Sequence, residues 1–431
     1  MNNFLFTLGS YIPRDLYYCN NYRKVKSLLT GRNNQIDKIR REALKFQLIN
    51  AIENVPYYRE LKLGIDISKI TNENVFEVLK QFPYLSKETI MDDPEKFVSD
   101  KVDVNSRFIF KRTSGGSTGN GIKVYRSLRE LMIERAFYDS EWGKYGLKSY
   151  SKVVRMGCDG IKKMEESPFS FKGNRMRISP YHLNSKWIKE IYETIDKFGV
   201  EFFHAYPSSL EFLARYMKKN NLSFNTLRGI FLASERVSED LLELLNEVFE
   251  GIPISFSYGM TERTNLAWGV YEKGKGIKYK IEDLYAFQEN YIDKYGRFEI
   301  VGTSYWNRCM PFIRYRTQDY GKICDGYIEA LDGRNQEFLI TRNNEAIPGF
   351  TIEIDKFTWN YVETFQVVQN EVGKVEFHIV PKSNYTKEIE DKILQSQYQK
   401  WGQLFDMEII REKEIKKTQA GKTRLVINNV I

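Results

Sequence analysis

The chain has 431 residues, more than the roughly 250–300 at which one hydrophobic core stops growing, so a large domain with a smaller companion is expected. Hydrophobic residues at 42% and charged residues at 28% exclude a disordered chain. The formal charge of +8 comes from 65 Lys and Arg against 57 Asp and Glu, scattered without a block of like charge; it suits anionic small molecules and makes no case for nucleic acid.

The opening MNNFLFTLGSYIPRD has neither a basic n-region nor an extended apolar core, and no run of about 18 apolar residues follows, which predicts a cytoplasmic protein without a membrane span. Cys19, Cys158, Cys309 and Cys324 lie far apart with no CxxC pair, which with only three histidines argues against a zinc site or a disulfide scaffold. Residues 1–100 read as a charged helical leader. RNNQIDKIRREALKFQLINAIENV repeats apolar side chains at helical spacing, and NENVFEVLKQF predicts a second helix.

From about residue 106 short apolar runs alternate with amphipathic helices. SRFIFKRTSG is followed by a helix near 127–145, the run SKVVRMG, the helix SKWIKEIYETIDKFG, the run VEFFHAY and the helix PSSLEFLARYMKKN; RGIFLAS, SEDLLELLNEVFEG and IPISFSYG continue the series. Strand and helix in alternation imply βαβ units and a largely parallel sheet. After residue 280 the texture turns strand-rich, as in YGRFEIVGTSYWN, and LDGRNQEFLITRNNEAIPG reads as a turn leading into a hairpin. The last hundred or so residues, with VGKVEFHIVPK, YTKEIEDKILQSQYQKWG and LFDMEIIREKEI, predict a small α+β domain ending in the polar loop KKTQAGKTR.

Thr113, Ser114, Gly115, Gly116, Ser117, Thr118 and Gly119 form the strongest local signal, between an apolar run and a helix. Glycines let several backbone N–H groups converge on one anion, and Ser and Thr hydroxyls add donors, so the loop suits a polyphosphate. It is no Walker A loop, because Gly116 and Gly121 are followed by Ile122-Lys123, and Gly119-Asn120-Gly121 does not extend to a dinucleotide fingerprint. Tyr258-Gly259-Met260-Thr261-Glu262 follows a strand-like run, where a carboxylate suits magnesium and a tyrosine ring suits a base. In Tyr315-Arg316-Thr317-Gln318-Asp319 the aspartate suits the two hydroxyls of a ribose, the alternative being an ordinary Arg–Asp pair at a loop.

Together and in this order the segments resemble the adenylate-forming superfamily of acyl-CoA synthetases and related ligases. The glycine and hydroxyl loop is similar to its phosphate loop, YGMTE to its adenine and magnesium motif, YRTQD to its ribose motif, LDGRNQ to its hinge, and Gly421-Lys422 to its C-terminal lysine motif. FHAYPSSLEFLARYM and FLASERVSEDLLELL resemble the phenylacetate-CoA ligase-like branch, in particular members from capsular polysaccharide loci. The implied fold is α/β: a large N-terminal domain over 1–331 with mixed and parallel sheets and helices, a hinge at 332–336, where Gln336 stands in place of an acid, and a small mobile α+β domain over 337–431.

The resemblance implies an AMP-forming ligase that adenylates a carboxylic acid with ATP and Mg2+, releases pyrophosphate, and passes the acyl group to coenzyme A or to an amine such as an amino sugar. On that reading loop 113–119 holds the departing phosphates, Thr261 lies near the α-phosphate and Glu262 holds the metal. Tyr258 and Gly259 lie against adenine, Asp319 with Arg334 holds the ribose, and Lys422 meets the charge that grows in the transition state. Lys123 follows the loop that a lysine closes in many relatives. His204, Tyr206, Ser234 and Glu235 are expected to line the acid pocket, whereas Phe137, Tyr138 and Trp142 read better as core. The competing readings are a nucleotide-binding scaffold without turnover and an ATPase or kinase, the latter lacking its signatures.

Overall fold

The computed structural model describes residues 9–31, 35–113, 122–157, 166–184, 186–293, 296–334, 338–348, 355–415 and 424–430. Contacts divide the chain into two units, one formed by Met1–Thr317 with Lys322–Glu329, the other by Gln318–Gly321 with Ala330–Ile431.

The first unit begins with helices α1 (Arg14–Tyr17), α2 (Asn20–Thr30), α3 (Ile36–Asn54), α4 (Pro56–Glu60), α5 (Val75–Lys80) and α6 (Lys87–Asp92). α3 buries Leu44, Leu48 and Ala51 at helical spacing, and with them two polar residues, Gln47 and Asn50. Their amides donate to the carbonyls of Asn307 and Arg308, at 2.5 and 3.2 Å. Tyr58 Oη donates to the Pro311 carbonyl at 3.1 Å and accepts from the Ile313 N–H at 2.9 Å. The leader is therefore a clamp on segment 307–313, and the buried polar groups are the ones that make it.

Strands β1 (Ile109–Thr113) and β2 (Lys123–Ser127) pair antiparallel as a separate hairpin, followed by α7 (Leu128–Gly143). The sequence reading ran from the glycine loop straight into this helix; β2 intervenes. The main sheet has twelve strands. Its centre holds β5 (Arg175–Ile178), β3 (Val153–Met156), β6 (Phe202–Ala205), β7 (Gly229–Ala233) and β8 (Ile254–Gly259), all parallel in that order, with β4 (Phe169–Lys172) antiparallel at the edge. The crossovers are α8 (Ile188–Phe198), α9 (Pro207–Asn220) and α10 (Glu239–Val248).

Strands covered on both faces read as unbroken apolar runs. In β6, Phe203 meets Phe224 and Phe249 on one side, while Phe202 stacks on Phe231 on the other, and Phe231 stacks on Trp142 of α7 at 4.6 Å. Beyond β8 the sheet continues antiparallel through β9 (Leu266–Glu272) and β10 (Gly276–Ile281), then through β14 (Tyr327–Arg334), β13 (Tyr315–Cys324), β12 (Phe298–Ser304) and β11 (Ala286–Ile292). The expected turn at Asp332 is instead the end of β14, and residues 335–337 lie outside the described residues.

In the second unit β15 (Phe338–Ile340) and β16 (Ala346–Pro348) form the expected hairpin. β17 (Val362–Glu371) and β18 (Lys374–Pro381) pair antiparallel, with β19 (Asp406–Arg411) and β20 (Val426–Asn428) added parallel outside them, and α11 (Lys387–Trp401) precedes β19. Val367, Phe377, Ile379, Ile393 and Phe405 form its separate core.

One glycine fixes how closely β12 approaches the turn after β8. A Cβ on Gly302 would stand 2.2 Å from the Thr264 carbonyl oxygen and 2.3 Å from Asn265 Oδ1. Gly302→Ala is expected to cost about 1–3 kcal/mol of folding stability, the scale of overpacking a rigid contact, read as a lowered urea midpoint. An unchanged midpoint would refute the close approach.

Candidate active site

The hairpin and α7 are locked by one carboxylate. Ser127 caps α7 in a capping box: its Oγ accepts the Glu130 N–H at 3.2 Å, and Glu130 Oε2 accepts the Ser127 N–H at 2.7 Å. Glu130 is buried, and its second oxygen accepts two further backbone N–H groups, from Arg308 at 2.5 Å and Cys309 at 2.8 Å. Burial and this carboxylate push the Cys309 thiol up to about 12, so it is an inert core thiol. Thr113, exposed at the end of β1, pairs across the hairpin with Lys123. Ser114, Gly115, Gly116, Ser117, Thr118 and Gly119 lie outside the described residues.

The second expected motif turns off the C-terminal end of β8, where ligands of open α/β sheets bind. Tyr258 is buried, Gly259 exposed, Thr261 half-buried and Glu262 buried. Among the described residues the Glu262 carboxylate accepts one long hydrogen bond, from Tyr315 Oη at 3.5 Å, while its main-chain carbonyl is held by Asn307 Nδ2 at 2.8 Å. Its backbone is thereby anchored. Arg263 follows with φ of 58°, in the left-handed region disfavoured for a side chain with a Cβ. Its guanidinium is buried, paired with Glu134 and donating to the Glu130 carbonyl at 3.3 Å. Burial, then the neighbouring Arg126, hold its pKa down to about 9.

His204 and Tyr206 end β6 on the same edge. His204 meets the Trp142 ring edge-on at 4.9 Å and is the cross-strand neighbour of Arg155. Burial, followed by Arg155, Arg135 and Arg175, pushes its imidazole well below the ordinary 6.5, so it is neutral. Arg135 lies over Trp142 at 5.5 Å and pairs at 2.6 Å with Asp139, which also pairs with Arg14 at 2.8 Å. Arg175 is reached by solvent yet walled in by protein; burial and Arg135, Arg14 and Arg155 lower its pKa to about 10. The Tyr138 hydroxyl bonds Ser257 and lies 3.8 Å from where a Gly259 Cβ would stand. Tyr138 and Trp142 thus border the crevice as well as the core, while Phe137 packs on Tyr285 inside it.

Tyr206 is buried and its ring lies 3.4 Å from where a Gly157 Cβ would stand. Ser234, after β7, has φ of 75°, and Glu235 accepts the Ser208 N–H at the start of α9 at 3.0 Å. At least one Glu235 oxygen therefore serves a helix end.

Asp319 is buried on β13, after Gln318 with φ of 62°. The segment is a strand, and Arg316 donates from Nε and Nη2 to one oxygen of Glu299, at 2.8 and 2.5 Å. Arg334 ends β14, and Lys422 lies outside the described residues. Sequence reasoning missed Arg126, Glu130, Arg263 and the arginines around His204; the one available signal was a charge within the short run KVYRS.

The profile of AMP-binding enzymes matches residues 113–283, and that of the CapK C-terminal domain matches 339–429. Protein CapK of Staphylococcus aureus is 23% identical over 412 residues, covering 88% of this chain and 86% of that protein. A crystal structure of 2-hydroxyisobutyryl-CoA ligase in the postadenylation state with R3-HIB-AMP aligns with a TM-score of 0.65 and 16% identity over 91% of this chain and 90% of that one. The same ligase with 2-HIB-AMP and CoA in the thioesterification state gives 0.52 and 16% over 93% and 91%. McyG A-PCP complexed with phenylalanyl-adenylate gives 0.51 and 15% over 83% and 72%. At these identities the structural likeness speaks for the fold. Among the described residues no helix is long and apolar enough to cross a membrane.

Neutral His204 predicts an acid-sensitive native state. As pH falls through about 6.5 the unfolded chain takes up a proton at this imidazole that the native state refuses, so stability drops toward the lower native value. His204→Gln should lose less of its urea midpoint between pH 7.5 and 5.5 than the parent protein does. An equal loss in both would mean the imidazole is not held neutral.

Proposed function

Because the chain belongs to the adenylate-forming superfamily, in its CapK-like branch, we propose that it activates a carboxylic acid by adenylation and passes the acyl group to a second nucleophile. A carboxylate oxygen attacks the α-phosphorus of ATP, an oxygen–phosphorus bond forms, and the bond to the departing pyrophosphate breaks. Two anions must be brought together, so the site has to offset charge and hold the groups in line. The observation that carries this reading is the buried Glu262 carboxylate at the C-terminal end of β8, anchored through its backbone and with one long side-chain hydrogen bond.

A single hard oxygen ligand of this kind fits magnesium that arrives with the nucleotide's own phosphates, and when bound it neutralises phosphate charge. Thr113 and loop 114–119 would hold the departing phosphates, Thr261 the α-phosphate, Tyr258 and Gly259 the adenine, and Asp319 with Arg334 the ribose. Lys422 would meet the oxygens on which charge grows. The 332–336 hinge would then let the small domain move so that coenzyme A or an amine, such as that of an amino sugar, takes the acyl group. The CapK relative favours a place in the making of a capsule or another surface polysaccharide.

Two expectations test this. Acid-dependent ATP consumption should yield AMP and pyrophosphate, and Lys422→Ala should slow ATP–pyrophosphate exchange by about 10²–10³, the loss on removing one donor from a transition-state site, with nucleotide binding intact. ADP and phosphate as products would end the reading.

On the acid side, Arg135, Arg155 and Arg175 around a neutral His204 favour a substrate with polar or anionic substituents over a plain aromatic ring. In a hydroxylamine-trapping panel, dicarboxylic and hydroxy acids should therefore give more hydroxamate than phenylacetate does. The reverse order would count against this pocket.

A further inference from the structure

Among the described residues, the buried Arg126, within electrostatic reach of Glu262, has no partner for the edge it would normally use to bind an anion. Arg126 is only 8% exposed, yet its Nε and Nη2 are both buried without a hydrogen-bond partner. These two nitrogens form one edge of the guanidinium, the fork that grips carboxylates and phosphates bidentately, as Arg314 grips Glu289. A charged group buried with such an edge unmatched is strongly destabilising unless something completes it.

Nearby protein groups do not complete it. Glu130, whose charge reaches Arg126, spends its two oxygens on the Ser127, Arg308 and Cys309 N–H groups. Glu134 is taken by Arg263 and by Tyr285 Oη at 3.3 Å. Glu262 is within electrostatic reach and makes no hydrogen bond to the fork, and Arg112 and Arg263 add positive charge of their own. The location narrows the ligand. Arg126 pairs across the hairpin with Phe110, on the two strands that bracket loop 114–121, and it lies within electrostatic reach of the carboxylate that follows Thr261.

We propose that Arg126 is an anion-binding residue whose Nε–Nη2 edge grips a phosphate of the bound nucleotide, an inference that rests on the adenylation reading above. Two coplanar donors match two phosphate oxygens, and the ligand supplies the charge that the apo site lacks. The same residue is a liability without ligand, because an apolar side chain of equal length would bury no unmatched charge.

The test compares the parent protein with Arg126→Met and Arg126→Lys, titrated calorimetrically with ATP, AMP and inorganic pyrophosphate, alongside ligand-free melting. Arg126→Met should melt at or above the parent temperature while its affinity falls about 10–100-fold, the scale of a charge-assisted bidentate contact. Loss for ATP and AMP assigns the α-phosphate; loss for ATP and pyrophosphate assigns the departing pair. If Arg126→Met is too unstable to titrate, Arg126→Lys, which keeps the charge and lacks the fork, should still bind at least about tenfold more weakly. Affinities within twofold of the parent for all three ligands, in whichever variants can be titrated, overturn the proposal and leave the adenylation reading intact. A parent protein that binds none of the three removes both.

Discussion

The Glu130 carboxylate is the constraint from which the rest of the site follows. It ties the end of β2 to the first turn of α7 through Ser127, and the same group takes the backbone N–H groups of Arg308 and Cys309. Segment 307–313 is gripped from its other side by Gln47, Asn50 and Tyr58 of the helical leader. Hairpin, helix and leader thus meet around one buried carboxylate whose hydrogen-bond partners are main-chain donors. That leaves the nearby arginines, Arg126 in particular, uncompensated by it.

Two residues that follow neighbouring strands of the sheet stand in the left-handed backbone region although they carry side chains: Ser234 after β7 and Arg263 after Glu262. Such conformations each cost about 1–3 kcal/mol and persist where the surrounding structure over-determines them. Arg263 illustrates the means, since its guanidinium is pinned by Glu134 and by the Glu130 carbonyl. The turn it forms is further held by the approach of Gly302 to Thr264 and Asn265. The carboxylate of Glu262 is therefore presented by a turn supported from both sides.

The alternation of strands and helices from residue 150 to 260 was legible because central parallel strands such as FFHA and GIFLA, covered on both faces, are apolar runs. Strand β2 was not, since Lys123, Arg126 and Ser127 make it look like loop, and its apolar contribution is confined to Val124 and Tyr125. The motifs expected to hold a nucleotide are contiguous in the sequence, whereas the residues around His204 share no motif. Arg135 comes from α7, Arg155 from β3, Arg175 from β5 and His204 from β6, and only the order of parallel strands brings them together. The leader's role was hidden for the same reason, as Gln47 and Asn50 find partners some 260 residues away, at separations of 260 and 258.

Helix α7 explains why the two halves of the crevice cannot vary independently. Its first turn carries Glu130, its second Glu134, and its later turns carry Arg135, Tyr138 and Trp142 along the face that meets the sheet. From Glu130 to Trp142 the helix rises about 18 Å, a length that spans both sides of such a site. Stacking of Trp142 on Phe231 fixes one end, and the capping box with its two extra N–H partners fixes the other. A substitution that tilts this helix from either end alters the surroundings of His204 and of Arg126 together, because packed elements move as units. On the proposed reading, changes in acid selectivity are therefore separable from nucleotide binding at positions borne by the strands, Arg155, Arg175 and His204, and not at those borne by α7.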